Sequence, residues 1–196
     1  RMKISLGESS DGAALLPTNE RLAQYSNATD PAFIALLVQY GRYLLISSSR
    51  PGCQPANLQG LWIGNSKPSW HGDYHVDLNV QMCYWAAGPC NIAECALPVA
   101  DMVSWMAPAG RIAAANCHGV DKGWVGHIVT NPHGYVWPRV SSKWGYAPGC
   151  SAWTMQTLWE YYAYTMDKDF LKRVWPMFKE SGEFWLEWLV LHPDTG

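Results

Sequence analysis

Charge is scarce in this chain. Of its 196 residues only 15% are Asp, Glu, Lys or Arg, and the 14 basic and 16 acidic side chains nearly cancel, leaving a net charge of −2. The basic residues form no run that could follow a phosphate backbone or an anionic membrane, so no nucleic acid and no membrane is expected as a partner. No apolar stretch reaches the roughly 20 residues that cross a bilayer, and the opening Arg-Met-Lys-Ile-Ser lacks the apolar core of a signal peptide. The six cysteines (Cys53, Cys83, Cys90, Cys95, Cys117 and Cys150) show no CxxC spacing, which removes the common zinc and redox motifs. They read as buried free thiols, with a Cys90/Cys95 pair as the alternative. No GxSxG elbow marks a nucleophilic serine, and no repeat of about 30 to 45 residues marks a solenoid. His71, Asp73 and His75 have metal-ligand spacing only on a helix, which Gly72 argues against; neither metal nor cofactor is expected.

What the chain does have is apolar and aromatic bulk. Almost half of it is hydrophobic, with 12 tryptophans and 10 tyrosines, enough for one sizeable core. Aromatic rings fill cores and also stack on the apolar faces of sugars, so the excess favours a carbohydrate site. Both ends look cut: Arg1 is not an initiator Met, and His-Pro-Asp-Thr-Gly at the other end is a turn that ordinarily leads into another element. The expectation is an internal fragment.

Residues 1–29 read as a linker ending in a short helical turn, with a glycosylation sequon at Asn27-Ala28-Thr29. Asp30-Pro31, a cap followed by Pro at the first helical position, opens a helix to about Ser47. Arg50 to His75 is a long connection rich in Gly, Pro, Asn and Trp, whose length suggests a functional loop. Residues 82–87 look helical up to Gly88-Pro89. Asn91 is a candidate cap for a helix running to about Cys117, with Pro98 and Pro108 as candidate breaks. After a second irregular stretch, Gly119 to Gly149, Ser151 is a candidate cap for a helix to Thr165, and Lys168 to Leu191 forms another, the two joined as a hairpin at Met166-Asp167. On that helix Glu183 and Glu187 read as a solvated edge. Helices alternating with long loops predict an all-α scaffold.

One segment stands apart. His75-Val76-Asp77-Leu78-Asn79-Val80-Gln81-Met82 alternates polar and apolar without a break, which on an extended strand sets His75, Asp77, Asn79 and Gln81 along one side. On an ideal helix Asp77 and Asn79 would stand about 200° apart, so they share a site only if the segment is extended or kinks before a helix begins. Two readings of the pair stand open: it caps the following helix, or its carboxylate acts as base and its carboxamide orients a water beside a sugar ring.

Longer blocks then carry a resemblance. Tyr43-Leu44-Leu45-Ile46-Ser47-Ser48-Ser49-Arg50-Pro51-Gly52, Pro55-Ala56-Asn57-Leu58-Gln59-Gly60-Leu61-Trp62 and Tyr74 through Trp85 are similar, in order and spacing, to the signature blocks of glycoside hydrolase family 95. Gly123-Trp124-Val125-Gly126-His127, Thr130-Asn131, Trp144-Gly145 and Ala152-Trp153 leading to Leu158-Trp159-Glu160 continue the similarity along the chain. The resemblance implies an (α/α)6 barrel, of which residues 30–196 would supply the N-terminal part, roughly the first half of its helical hairpins. It also implies inverting hydrolysis of terminal α-L-fucosides, typically α-1,2-linked, or of α-L-galactosides, and a secreted or periplasmic location.

In that family an Asn-x-Asn pair, assisted by a downstream Asp, activates water, and a downstream Glu is the general acid. The second Asn matches Asn79, whereas the first falls on Asp77, a departure. The family's His-His-Asn-Thr-Asp run is here His127-Ile128-Val129-Thr130-Asn131. The acid and the assisting Asp lie beyond this chain in the family order. The expected catalytic residues are therefore Asp77 and Asn79, with His75, Trp62, His127 and Asn131 binding sugar. The expected partners are a fucosylated oligosaccharide and the remainder of the same catalytic domain. The alternative is a non-catalytic carbohydrate-binding barrel of the same fold.

Overall fold

A computed structural model describes residues 2–25, 30–138 and 142–195; the sequon at 27–29 lies outside them. The chain divides into two compact units, Arg1–Leu44 and Leu45–Gly196. Helices dominate both, and no helix among the described residues is long and apolar enough to cross a membrane.

In the first unit a 3-10 turn, Ser10–Leu15, precedes the short helix α1, Thr18–Gln24, and the start of α2, Pro31–Ser48. Asp30 opens α2 as its sequence demands: its Oδ1 accepts the Phe33 N–H at 3.0 Å. The same carboxylate takes two bonds from the Arg21 guanidinium, at 2.6 and 2.7 Å, and a third from the Ser9 hydroxyl. The fork from Arg21, followed by Ser9 and the Phe33 amide, holds the Asp30 carboxyl well below the usual carboxylate range.

The second unit is built on α4, Leu97–His118, packed against α6, Gly149–Thr165, and α7, Lys168–Trp188. Along α4 the buried positions Val99, Met102, Val103, Met106, Gly110, Ala113 and Ala114 recur every three or four residues, the stripe of a helix with one face in the core. Pro98 and Pro108 do not break α4, which runs through both. Asp167 caps α7 by accepting from the Asp169 and Phe170 amides, and Arg111 on α4 forks onto Glu180 on α7 at 2.7 and 2.9 Å. Glu183 and Glu187 hold Lys179 and Lys122 in partly exposed ion pairs, the solvated edge their spacing predicted.

Two expected caps are not caps. Asn91 adopts a left-handed turn (φ 53°) well before α4, whose own cap position is Ala96. Ser151 lies inside α6, which starts at Gly149 behind Pro148, and its hydroxyl donates back to the Pro148 carbonyl. The six thiols are free, but only Cys95 and Cys150 are buried; Cys53 and Cys83 are exposed.

The second connection is clamped rather than loose. Its Gly123 backbone lies so close to α7 that a Cβ would stand 2.1 Å from the Glu180 carbonyl. The wholly buried Trp124 donates from Nε1 to the Met177 carbonyl at 2.9 Å, and Val125 N–H reaches Gly110 on α4. Thus Gly-Trp-Val-Gly-His is first of all a packing motif.

Candidate active site at the start of the third helix

The alternating row folds as three different things. Tyr74–His75 is a strand, β1, paired antiparallel to β2, Val129–Thr130, with Tyr74 opposite Thr130 and His75 opposite Val129. Val76 N–H extends the ladder to the Ile128 carbonyl at 2.7 Å. Asp77 and Leu78 form a turn, with Leu78 at φ −168°, ψ −45°, and α3 then runs Asn79–Tyr84. The chain leaves the extended conformation before the helix begins, the kink that a shared site requires. No side chain caps α3 at Leu78.

The helix breaks the single polar face expected from alternation. Once the chain turns about 100° per residue, Gln81 points into the core and is wholly buried, while Leu78 and Met82 are exposed. His75 and Asp77 are half-buried, and Asn79 is exposed. Asp77 Oδ1 is itself buried and has no hydrogen-bond partner among the described residues. Its neighbour is the Cys150 thiol at the start of α6, pushed up to about 12 by burial and then by the negative charge of Asp77, so that thiol stays protonated.

The strand pairing brings the row to the second connection. Asn131 directly follows Thr130, and its Oδ1 accepts the His133 and Tyr135 amides, fixing the Asn-Pro-His-Gly turn beside β1. His75 has two close neighbours, Asp73 from the cluster noted in the sequence and Trp70, which its spacing did not reveal. Its Nε2 lies 2.9 Å from Asp73 Oδ1, and the Trp70 ring, 65% exposed, stands edge-on to it at 6.3 Å between centroids. Trp70, His71 and Gly72 are all left-handed, with φ of 52°, 61° and 66°. Non-glycine residues rarely adopt that conformation, and such strain gathers at ligand-binding loops; nothing in the sequence marks it at Trp70 or His71.

Trp62 sits elsewhere on the first connection, half exposed. It follows Leu61 at the edge of a cleft of about 290 Å³ that Ser49, Arg50, Gln54, Asn57 and Tyr74 also line, so Tyr74 links this cleft to the strand that carries His75. His127 is different from the rest: it is 0% exposed, its Nδ1 accepts the Ala147 N–H at 3.0 Å, and its ring stacks on His118. The His118 and Tyr146 rings and the Ala147 amide enclose it within the described residues.

Chemically, the group offers a carboxylate with one unpartnered buried oxygen, an exposed carboxamide two residues on, an imidazole on β1 and a second carboxamide just past β2. The family model described as the glycosyl hydrolase family 95 catalytic domain matches residues 1–196. The chain is 43% identical over 183 residues to "Alpha-L-fucosidase 2" of Arabidopsis thaliana, with 90% of this chain and 21% of that protein covered. To "Probable alpha-fucosidase A" of Aspergillus niger it is 38% identical over 183 residues, covering 92% and 23% respectively. The protein of the same name from Aspergillus oryzae shares 38% over 132 residues, covering 63% and 18%. The chain thus spans about a fifth of the length of these relatives.

Proposed function

The chain belongs to the glycosyl hydrolase family 95 catalytic-domain family, and on that premise we propose that the full-length protein is an inverting glycosidase. Its substrates are terminal α-L-fucosides, α-1,2-linked ones first, or the related α-L-galactosides. The names of the relatives support the sugar, and one observation on this chain supports the chemistry: a carboxylate oxygen of Asp77 that is buried yet unpartnered. A buried acceptor left without a partner costs on the order of 1–3 kcal/mol, which is tolerated where the group has work to do on a ligand.

In this reading Asp77 takes the proton of the attacking water and Asn79 orients that water against the anomeric carbon. A general acid supplied by the rest of the domain stands on the opposite side of the ring, roughly 6.5–9.5 Å away, as inversion requires. His75 on β1 and Asn131 just past β2 hold sugar hydroxyls, and Trp62 offers a ring face at the rim. His127, whose Nδ1 holds the Ala147 amide, keeps the second connection in shape. The helices described above form the N-terminal part of an (α/α)6 barrel that the remainder of the domain completes. Oxygen acid–base chemistry of this kind needs no metal or cofactor.

The second reading is a carbohydrate-binding barrel without turnover, favoured by Asp77 standing where the resemblance expects Asn. Fucose release from a 2′-fucosylated oligosaccharide by the full-length protein separates the two. The hydrolase is expected to release fucose, with Asn79→Ala reducing kcat by about 100-fold or more. Binding of fucose without release overturns it in favour of the second reading, and undiminished activity of Asn79→Ala removes the residue assignment.

A further inference from the structure

We propose that Gln81, the one member of the polar row that turns away from the candidate site, is the positioning residue that fixes the Asp77 turn from behind. This inference rests on the proposed hydrolase function. The side chain is wholly buried, and its Nε2 donates twice: to the Val76 carbonyl at 2.7 Å and to Thr154 Oγ1 at 3.2 Å. Thr154 passes the tie on by donating to the Cys150 carbonyl in the first turn of α6, at 2.9 Å. On the other side Val76 N–H is bonded to Ile128. The residue immediately before Asp77 is therefore held at both of its backbone polar groups, by the second connection on one side and by α6 through Gln81 on the other.

The direction of the Gln81 bond is what makes it more than core filling. An α-helix satisfies carbonyls with its own amides, but Val76 lies outside α3 and its carbonyl would otherwise be an orphan beneath the turn. Gln81 reaches back five residues to satisfy it. A Met or Leu of similar volume would fill the same space without the cost of burying a carboxamide, and that cost is not fully recovered, because Gln81 Oε1 has no hydrogen-bond partner among the described residues. What the polar side chain adds over an apolar one is a fixed orientation for the peptide that carries Asp77. A displacement of about 1 Å in a catalytic group can lower a rate about 100-fold.

The test uses the full-length protein and four variants: Gln81→Met, Thr154→Val, Thr154→Ser and, as a core control on α4, Val103→Ala. Two readouts are taken, kcat and KM on a 2′-fucosylated substrate and the amide hydrogen exchange of residues 76–79. Gln81→Met is expected to lower kcat by about 100-fold with KM changed less than about threefold, and to speed exchange at 76–79 by about tenfold or more. Thr154→Val is expected to show a smaller loss in the same direction, Thr154→Ser to restore it, and Val103→Ala to lower the unfolding temperature while leaving kcat alone.

Gln81→Met with wild-type kcat, or with unchanged exchange at 76–79, overturns the proposal. If Gln81→Met does not fold, Thr154→Val decides on the same two readouts. If the wild type releases no fucose, the hydrolase reading fails, and exchange at 76–79 alone decides whether Gln81 holds the turn.

Discussion

The Nε2 atoms of His118 and His127 face each other across 3.4 Å, between rings only 10° from parallel. Every proton on the pair follows from the neighbours. Ala147 N–H donates to His127 Nδ1, so His127 carries its proton on Nε2 and gives it to His118 Nε2; His118 Nδ1–H is then left to meet the Tyr146 oxygen at 2.9 Å. Both rings are neutral in this arrangement. Burial, and then the second imidazole, lowers His127 to about 4, and burial lowers His118 as well.

That gives a pH dependence with a definite sign. The unfolded chain takes up a proton at His127 near pH 6.5, the folded one only near 4. Between those values the unfolded state binds more protons, so stability is complete above about 6.5 and falls as the pH drops toward 4. The loss is on the order of 3 kcal/mol. Unfolding temperatures of the full-length protein from pH 7 to pH 4 are expected to fall more steeply for wild type than for His127→Gln; parallel curves would contradict the buried neutral pair.

Tyr84 ties the first long connection to the core. Its hydroxyl accepts the Ala56 N–H at 2.8 Å and meets Ser49 Oγ at 2.6 Å, while Ser49 donates to the Cys95 carbonyl. All three partners are buried, and burial pushes the Tyr84 hydroxyl pKa up. Tyr84→Phe leaves the Ala56 amide without an acceptor and is expected to cost roughly 1–3 kcal/mol. Amide exchange at Ala56 should rise before exchange in α4 does; equal protection in both variants would show that the loop is held by other contacts.

Gly134 is required by two independent constraints. Its φ is +72°, and a Cβ would lie 2.2 Å from the Trp105 carbonyl, part of the α4 backbone. Backbone cannot step aside as a side chain can, so Gly134→Ala is expected to cost roughly 3 kcal/mol or more and to loosen the turn that Asn131 anchors. By contrast Gly149, with open space around its Cβ position, should accept Ala with little change in unfolding temperature. A harmless Gly134→Ala would mean that the second connection is not seated on α4 as described.

How much of this was legible in sequence depended on whether the signal was local. Asp30-Pro31 announced α2 because a cap acts within three residues of itself, whereas Asp167, read only as part of the hairpin joint, proves to be the cap of α7. The row from His75 was legible in half. Alternation marked an extended start and the need for a kink, but period two and the first turn of a helix share the same residues, and only the onset of α3 at Asn79 turns Gln81 inward. Its partner Thr154 is 73 residues away, beyond any local pattern. The left-handed backbone at Trp70 and His71 has no residue-type marker. His127 carried a motif whose neighbours, Trp124 and Gly123, serve packing against α7, and its own burial follows from that packing.

The most direct test of the central claim is the anomeric form of the sugar as it is released. Full-length protein is mixed with a 2′-fucosylated oligosaccharide and followed by proton NMR before mutarotation equilibrates the product, with Asp77→Ala run alongside. Inversion at an α-L-fucoside is expected to give β-L-fucose first, and Asp77→Ala to release it at least about 100-fold more slowly. Initial α-L-fucose, or an Asp77→Ala variant as fast as wild type, would contradict water activation at the start of α3.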